Sequence, residues 1–200
     1  KTVTAYVNTH TDLSDELYRE GKLVSDNYKN ILRSQTNAAA IPAEVTVRYG
    51  VTVRRANLRN LPTGEGLFFY ASDRNFDALQ ETALDPGEAV AILHTSTNGY
   101  FYYVQAYNYR GWLSKFDVAE TDRSTWLRYA EPKNFLTVVA KDYTLKADGA
   151  QVLFQQGARL QLADKKASAY TVKVPVRTKE GKLQEEKVVL AANASLHEGY

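Results

Sequence analysis

The 200-residue chain reads as mainly β: two small β-barrels in tandem, preceded by a short helical or irregular segment. Three observations predict this. From Val45 the apolar residues alternate with polar ones, first Val45, Val47 and Tyr49, then Val51 and Val53, which is the period of a half-buried strand. Glycines recur at matched places. Gly87 and Gly157 each precede a short apolar run, AVAIL and ARLQL, and Gly111 and Gly181 each lead into a leucine, Leu113 and Leu183, both pairs at an offset of 70 residues. Turn chemistry at Asp85-Pro86-Gly87 and Asn98-Gly99 punctuates the runs.

Taken in order, residues 1–44 are polar, with too few apolar side chains for a core of their own, and are expected to pack onto the first barrel. Glu20-Gly21-Lys22 reads as a turn. Ser25 reads as the cap of a helix through Arg33, with Tyr28, Ile31 and Leu32 on one face. Residues 45–118 form the expected first barrel: a strand region broken at Leu61-Pro62-Thr63-Gly64, a long loop at 64–86, strands at Ala89–His94 and Tyr100–Gln105, and a turn into Trp112-Leu113. In the run Tyr100-Phe101-Tyr102-Tyr103 two rings face inward and two outward. Residues 119–134 are a linker with a helical turn at Ser124–Leu127, where Trp126 is expected to glue the barrels together, and residues 135–200 are the second barrel. The copies differ in one place. The stretch from Val53 to Gly87 is far longer than that from Val139 to Gly157, and the excess carries Phe68, Phe69, Tyr70, Phe76 and Asp77. Long loops on rigid scaffolds are where function concentrates.

Composition excludes several classes. A net charge of +2 with mixed signs gives no electrostatic footprint for nucleic acid. No apolar run approaches the roughly 20 residues of a membrane-spanning helix. There is no cysteine, so a disulfide framework, a thiolate metal site and a cysteine nucleophile are all absent. The three histidines are dispersed and lack metal-ligand spacing, so neither metal nor cofactor is expected. His94 ends an apolar strand and reads as structural, whereas His10 and His197 read as solvated. No Gly-x-Ser-x-Gly elbow occurs, so the chain contains no expected catalytic residue. It opens at Lys1 without Met, n-region or h-region, so any signal peptide is expected to have been removed or to lie outside this sequence.

The segments VRYGVTVRRANLRNLPT, FDALQETALDPGEAVAILHTS and FYYVQAYNYRGWL resemble the first bacterial SH3 (SH3b) domain of NlpC-type cell-wall peptidases. FLTVVAKDYTLKADGAQVLFQQGARLQL with YTVKVPVRTKEGKL resembles their second SH3 domain. EGKLVSDNYKNILRSQTNAAAIPAEV is similar to the end of the N-terminal clip, and SLHEGY to the lead-in to the catalytic domain. The resemblance implies tandem SH3-like barrels from an exported protein of the periplasm or cell envelope. It implies a parent γ-D-glutamyl-L-diamino acid endopeptidase whose cysteine lies in a C-terminal NlpC-type domain. This chain alone would then not be an enzyme. In such enzymes the first barrel's long loop closes one end of the cleft, so that only stem peptides of peptidoglycan with a free N-terminal alanine fit. Carried over by region, Asp77, with Glu81 second, is the candidate for the peptide's ammonium, and Phe76, Tyr70 and Tyr107 are candidate walls. Asp77 equally fits the N-cap of a loop helix Ala78-Leu79-Gln80-Glu81, with Gln80 at the third position. The alternative function is a free-standing SH3b protein that binds cell wall or a protein partner.

Overall fold

The computed structural model describes residues 2–9 and 13–200, so His10 lies outside the described residues. The chain is mainly β, as the sequence predicts. Helix α1 (Val3–Asn8) starts at Thr2, whose hydroxyl accepts the Ala5 amide. Strands β1 (Tyr18–Arg19) and β2 (Lys22–Leu23) form a hairpin whose turn residues, Glu20 and Gly21, sit at φ 52° and 81°. This is the predicted turn, in the mirror-image geometry that hairpins favour. Helix α2 (Asp26–Gln35) is capped by Ser25, as expected. Its buried face differs from the expected one. Ile31 is 47% exposed, and Lys29 is buried beside Leu32, its ammonium donating to the Asp15 carbonyl at 2.7 Å. A satisfied ammonium lets the aliphatic stem pack, so the helix turns about one position from the apolar count.

The next strands are β3 (Arg48–Thr52), β4 (Ala56–Arg59), β5 (Gln80–Leu84), β6 (Ala89–Thr95), β7 (Phe101–Gln105), β8 (Arg110–Ser114) and β9 (Val118–Thr121). Helix α3 (Arg123–Ala130) precedes β10 (Phe135–Val138), β11 (Asp142–Ala147), β12 (Ala150–Gln155), β13 (Arg159–Lys166), β14 (Ala169–Arg177), β15 (Leu183–Ala191) and β16 (Leu196–Glu198). Val45 and Val47 precede the first barrel strand. The β3–β9 ladder begins at Tyr49↔Thr121, so earlier residues have no partner in it.

The chain divides into two compact units. The first comprises Lys1–Val47, Asn57–Ala83 and Ile92–Lys115, and the second Arg48–Ala56, Leu84–Ala91 and Phe116–Tyr200. In the first unit β7 and β8 pair from Phe101↔Ser114 to Gln105↔Arg110, and β8 meets β4 at Arg59↔Trp112. One core joins Leu13, Leu17, Val24 and Leu32 of the N-terminal segment to Leu61, Leu67 and Leu79. Another joins Val7 to Tyr103 and Trp112, with Tyr6, Ile41, Leu93 and Phe101 packed against it. The polar N-terminal segment thus supplies part of both cores. Phe101 and Tyr103 are the inward rings of the aromatic run, while Tyr100 is 53% exposed.

In the second unit β10, β13, β14, β15 and β16 form an antiparallel sheet in the order β15-β14-β13-β10-β16, beside a β11–β12 hairpin. They enclose Leu136, Val138, Leu145, Phe154, Leu160, Val172 and Val174. α3 is longer than the expected turn and is capped by Asp122, which accepts the Thr125 amide. Hydrogen bonds from Ser124 and Thr125 hold the Asp122 carboxyl well below the usual carboxylate range. Trp126 donates its indole N–H to the Val90 carbonyl at 3.0 Å and lies 5.2 Å from the Tyr49 ring.

Gly87 and Gly157 are structural equivalents. Their φ angles are 88° and 89°. Each donates its amide at 2.8 Å to a strand carbonyl, Thr52 and Val138 respectively, and each of those residues returns a bond to the residue after the glycine. A side chain is strained at that φ, which is why glycine recurs. Gly111 and Gly181 are not equivalents. Gly111 lies inside β8, whereas Gly181 sits at φ 83° in the turn between β14 and β15. Equal sequence offset concealed unequal strand lengths there.

Candidate functional site

β4 ends at Arg59, whose side chain is 6% exposed. One guanidinium nitrogen lies 2.7 Å from Asp77 Oδ2, and another donates to the Glu65 carbonyl at 2.6 Å. Asp77 Oδ1 accepts the Leu67 amide at 3.1 Å and the Leu79 amide at 3.0 Å. Ala78 N–H donates to the Leu67 carbonyl and Asn60 N–H to the Leu79 carbonyl. Together these bonds close the neck of the long loop, joining its outgoing limb at 65–67 to its returning limb at 77–79. Leu67 and Leu79 fill the space beneath, and burying each contributes about 1.5–3 kcal/mol.

This geometry corrects the loop-helix expectation. Residues 78–79 are a turn and Gln80 opens β5, so Asp77 caps no helix. Its carboxylate makes a two-residue turn on Leu79 and a bond across the neck to Leu67. The D-x-x-Q spacing was a local signal overridden by strand pairing and by a distant arginine. The segment expected as loop at 64–86 also includes all of β5.

The N-terminal segment holds the outgoing limb. Tyr18 and Phe68 exchange backbone bonds at 2.7 and 2.9 Å. Glu65 accepts from Arg19 at 3.1 Å and from the Tyr28 hydroxyl, and the Arg19 guanidinium lies 5.0 Å from the Tyr28 ring centre. Burial, then the bond to Glu65, pushes the Tyr28 phenol up. The loop tip is tied by Asp73, which accepts the Asn75 and Phe76 amides, and by Arg74, which donates to the Ala71 and Asp73 carbonyls. Those amide bonds, that of Asn75 foremost, pull the Asp73 carboxyl down. On this tied tip Phe69, Tyr70 and Phe76 are 50%, 71% and 78% exposed. Clustered exposed apolar side chains mark contact surfaces.

Asp77, Phe76 and Tyr70 therefore belong to one loop, the first in its neck and the other two at its tip. Glu81 lies on β5, the strand that leaves the loop, half-buried. Tyr107 is 96% exposed on the β7–β8 connection, a different segment. Sequence reasoning missed Arg59, Glu65, Tyr18, Arg19 and Tyr28. The one available signal was Arg59 beside Leu58 in an otherwise apolar strand end, a charge that needs a partner if buried.

His94 is structural, in agreement with its position at the end of an apolar strand. Its Nε2 lies 3.0 Å from the Asn37 carbonyl, and its ring stands edge-on to Trp112. Burial pulls its pKa below the ordinary 6.5, against the Asn37 bond that raises it. The unfolded chain therefore binds the extra proton first. The stability contributed by neutral His94 is present above pH 6.5 and is lost as pH falls through the lower folded value. Thermal melts across about pH 5–8 should show a loss of stability on acidification that is smaller in His94→Gln. Equal acid sensitivity in the two proteins would show that His94 does not titrate in this way.

Among the described residues no group of three or more His, Cys, Asp or Glu side chains is placed to hold a metal ion. Among the described residues no helix is long and apolar enough to cross a membrane.

Residues 67–114 match the family model for an SH3 domain (SH3b1 type). The match opens at Leu67 in the loop neck and closes at the last residue of β8, so the aromatic tip lies inside the recognised domain. No curated protein matches the chain. Among solved structures the chain is similar to an NlpC/P60 endopeptidase from Photobacterium damselae subsp. piscicida, with a TM-score of 0.74 at 20% identity. The alignment covers 100% of this chain and 44% of that one, so the chain spans less than half the length of that enzyme. The chain thus carries a bacterial SH3 domain and shares the fold of part of that endopeptidase.

Proposed function

We propose that the chain is the non-catalytic targeting and substrate-gating SH3b module of an exported peptidoglycan γ-D-glutamyl-diamino acid endopeptidase. Its two barrels span residues 45–118 and 135–200, joined by 119–134. The matched turns at Gly87 and Gly157 support a duplicated barrel. The nucleophile belongs to an NlpC-type catalytic domain of the parent protein. Covalent cleavage of an amide needs an activated nucleophile beside a base, and this chain has no cysteine to serve.

The observation that carries the reading is a loop pinned at its neck by Arg59 and Asp77 that presents Phe69, Tyr70 and Phe76 outward. A fixed apolar wall can exclude long substrates without losing binding energy to its own ordering. Phe76 and Tyr70 act as walls against the stem peptide. Both Asp77 oxygens are engaged within the loop, so Asp77 acts as a positioning residue, and Glu81 and Tyr107 are the further contact candidates.

The test uses the parent enzyme with its catalytic domain, on stem peptides with a free or an acetylated N-terminal alanine. Phe76→Ala with Tyr70→Ala should lower the preference for the free amine about tenfold or more, the range expected when an apolar wall is trimmed. Stability should move by less than about 0.5 kcal/mol, because both side chains are exposed. An unchanged preference would remove the gating role from this loop.

A further inference from the structure

We infer that the tip of the β7–β8 hairpin, with Tyr6 of α1 beside it, is a docking surface for a partner protein that presents one acidic side chain flanked by apolar ones. The inference does not depend on the gating reading, and of the contact candidates above it takes Tyr107 alone. All its residues lie within the first unit.

The tip turns at Tyr107-Asn108, with the Ala106 amide donating to the Tyr109 carbonyl at 2.8 Å. Neither turn residue has a positive φ, so the tip lacks the mirror-image geometry that short hairpins favour. The Gln105 side chain braces it instead. Its Nε2 donates to the Ala106 carbonyl at 2.6 Å and to the Tyr109 carbonyl at 3.1 Å. Its Oε1 accepts Arg110 Nε. The Arg110 guanidinium carbon also lies 3.7 Å from the centre of the Tyr6 ring, so a bond at Nε and a ring face both fix the plane of the group. Arg110 is half-buried, and it makes no ion pair among the described residues. Burial pushes the neighbouring Tyr103 phenol up to about 12, against the Arg110 charge, so this ring stays neutral and leaves that charge uncompensated.

A fixed guanidinium whose terminal nitrogens have no carboxylate is a fork ready for one. Arg110 is the one charged residue in 101–114, and α1 carries none. A single positive charge matches a carboxylate better than a doubly charged phosphate. The surroundings say where that carboxylate comes from. Tyr107 is 96% exposed and Tyr109 42%, on a protruding tip. A small molecule gains affinity by being enclosed, whereas a protruding ring beside an oriented arginine fits a depression on another protein. Tyrosine and arginine are also the residues that carry most of the energy at such interfaces. Bracing by Gln105 and Tyr6 removes part of the ordering cost of binding.

The test is an NMR titration of the 200-residue chain with a five-residue peptide, blocked at both ends, that carries a central glutamate between two leucines. Amides at residues 6 and 105–110 should shift, and added salt should weaken binding. The same peptide with glutamine at its centre should bind about tenfold more weakly. Arg110→Lys keeps the charge but loses the fork and should cost about tenfold. Tyr107→Ala should also cost about tenfold, with an unchanged melting temperature because the ring is exposed. Equal binding of the two peptides, indifference to either variant, or no shift in these residues at millimolar peptide would overturn the inference. Sodium acetate that shifts the same amides at the same concentration would overturn it in favour of a small-anion site. Shifts confined to residues 69–76 would overturn it while leaving the gating reading intact, and the wall variants of the parent enzyme judge that reading separately.

Discussion

Asp77→Ala is expected to destabilise the loop-bearing unit by about 3–5 kcal/mol, the cost of removing one partner from a largely buried ion pair. Arg59 would keep only the Glu65 carbonyl, and its Nε already has no partner. The Leu67 and Leu79 amides would lose their shared acceptor. The outcome separates two accounts of the residue. A peptide-contacting aspartate should lose activity at unchanged stability, whereas a neck-pinning aspartate should lose both together. Equilibrium unfolding of Asp77→Ala, Arg59→Met and the double variant measures this. The double variant should recover much of the loss, because two apolar replacements leave no buried charge behind. An Asp77→Ala protein as stable as wild type would show that the pair holds nothing.

Gly111→Ala is expected to be the other severe single substitution. A Cβ at that position would stand 2.6 Å from the Arg59 carbonyl oxygen and 3.1 Å from Leu58 Cγ. The nearest obstacle is backbone, so β4 itself must move, and Arg59 moves with it. Overpacking of this kind costs about 1–3 kcal/mol and at times more. For a chain of this size that corresponds to a fall in melting temperature of roughly 2–4 °C for each kcal/mol. Gly64→Ala is the matched control, since nothing lies within 4 Å of its Cβ. Gly111→Ala should melt well below wild type and Gly64→Ala close to it. Equal melting of the two would show that β8 accommodates a side chain beside Arg59.

These two positions also show what the sequence could reveal. Features written in adjacent residues were legible: the Ser25 cap, the Glu20-Gly21 turn, the Asn98-Gly99 turn with Gly99 at φ 71°, and the paired turns at Gly87 and Gly157. Each is a backbone requirement met by one or two residue types. Features that depend on partners far along the chain were not. Asp77 carries the spacing of a helix cap, and nothing nearby in sequence announces Arg59, 18 positions earlier. The helix face through Ile31 was misjudged because a carbonyl at Asp15 lets Lys29 go inside. Gly111 and Gly181 share an offset, but the first is required by close approach of strands and the second by a positive φ. The exposed tip aromatics were legible as a surplus in one half of the chain. The Tyr18, Arg19 and Tyr28 contacts that support their loop were not.

The central claim is that this module engages peptidoglycan without cutting it. The direct measurement is co-sedimentation of the purified chain with peptidoglycan sacculi, followed by analysis of the supernatant for released diamino acid. The account expects the chain in the pellet and no diamino acid above a heat-treated control. A chain that stays in the supernatant, or one that releases diamino acid, would contradict it.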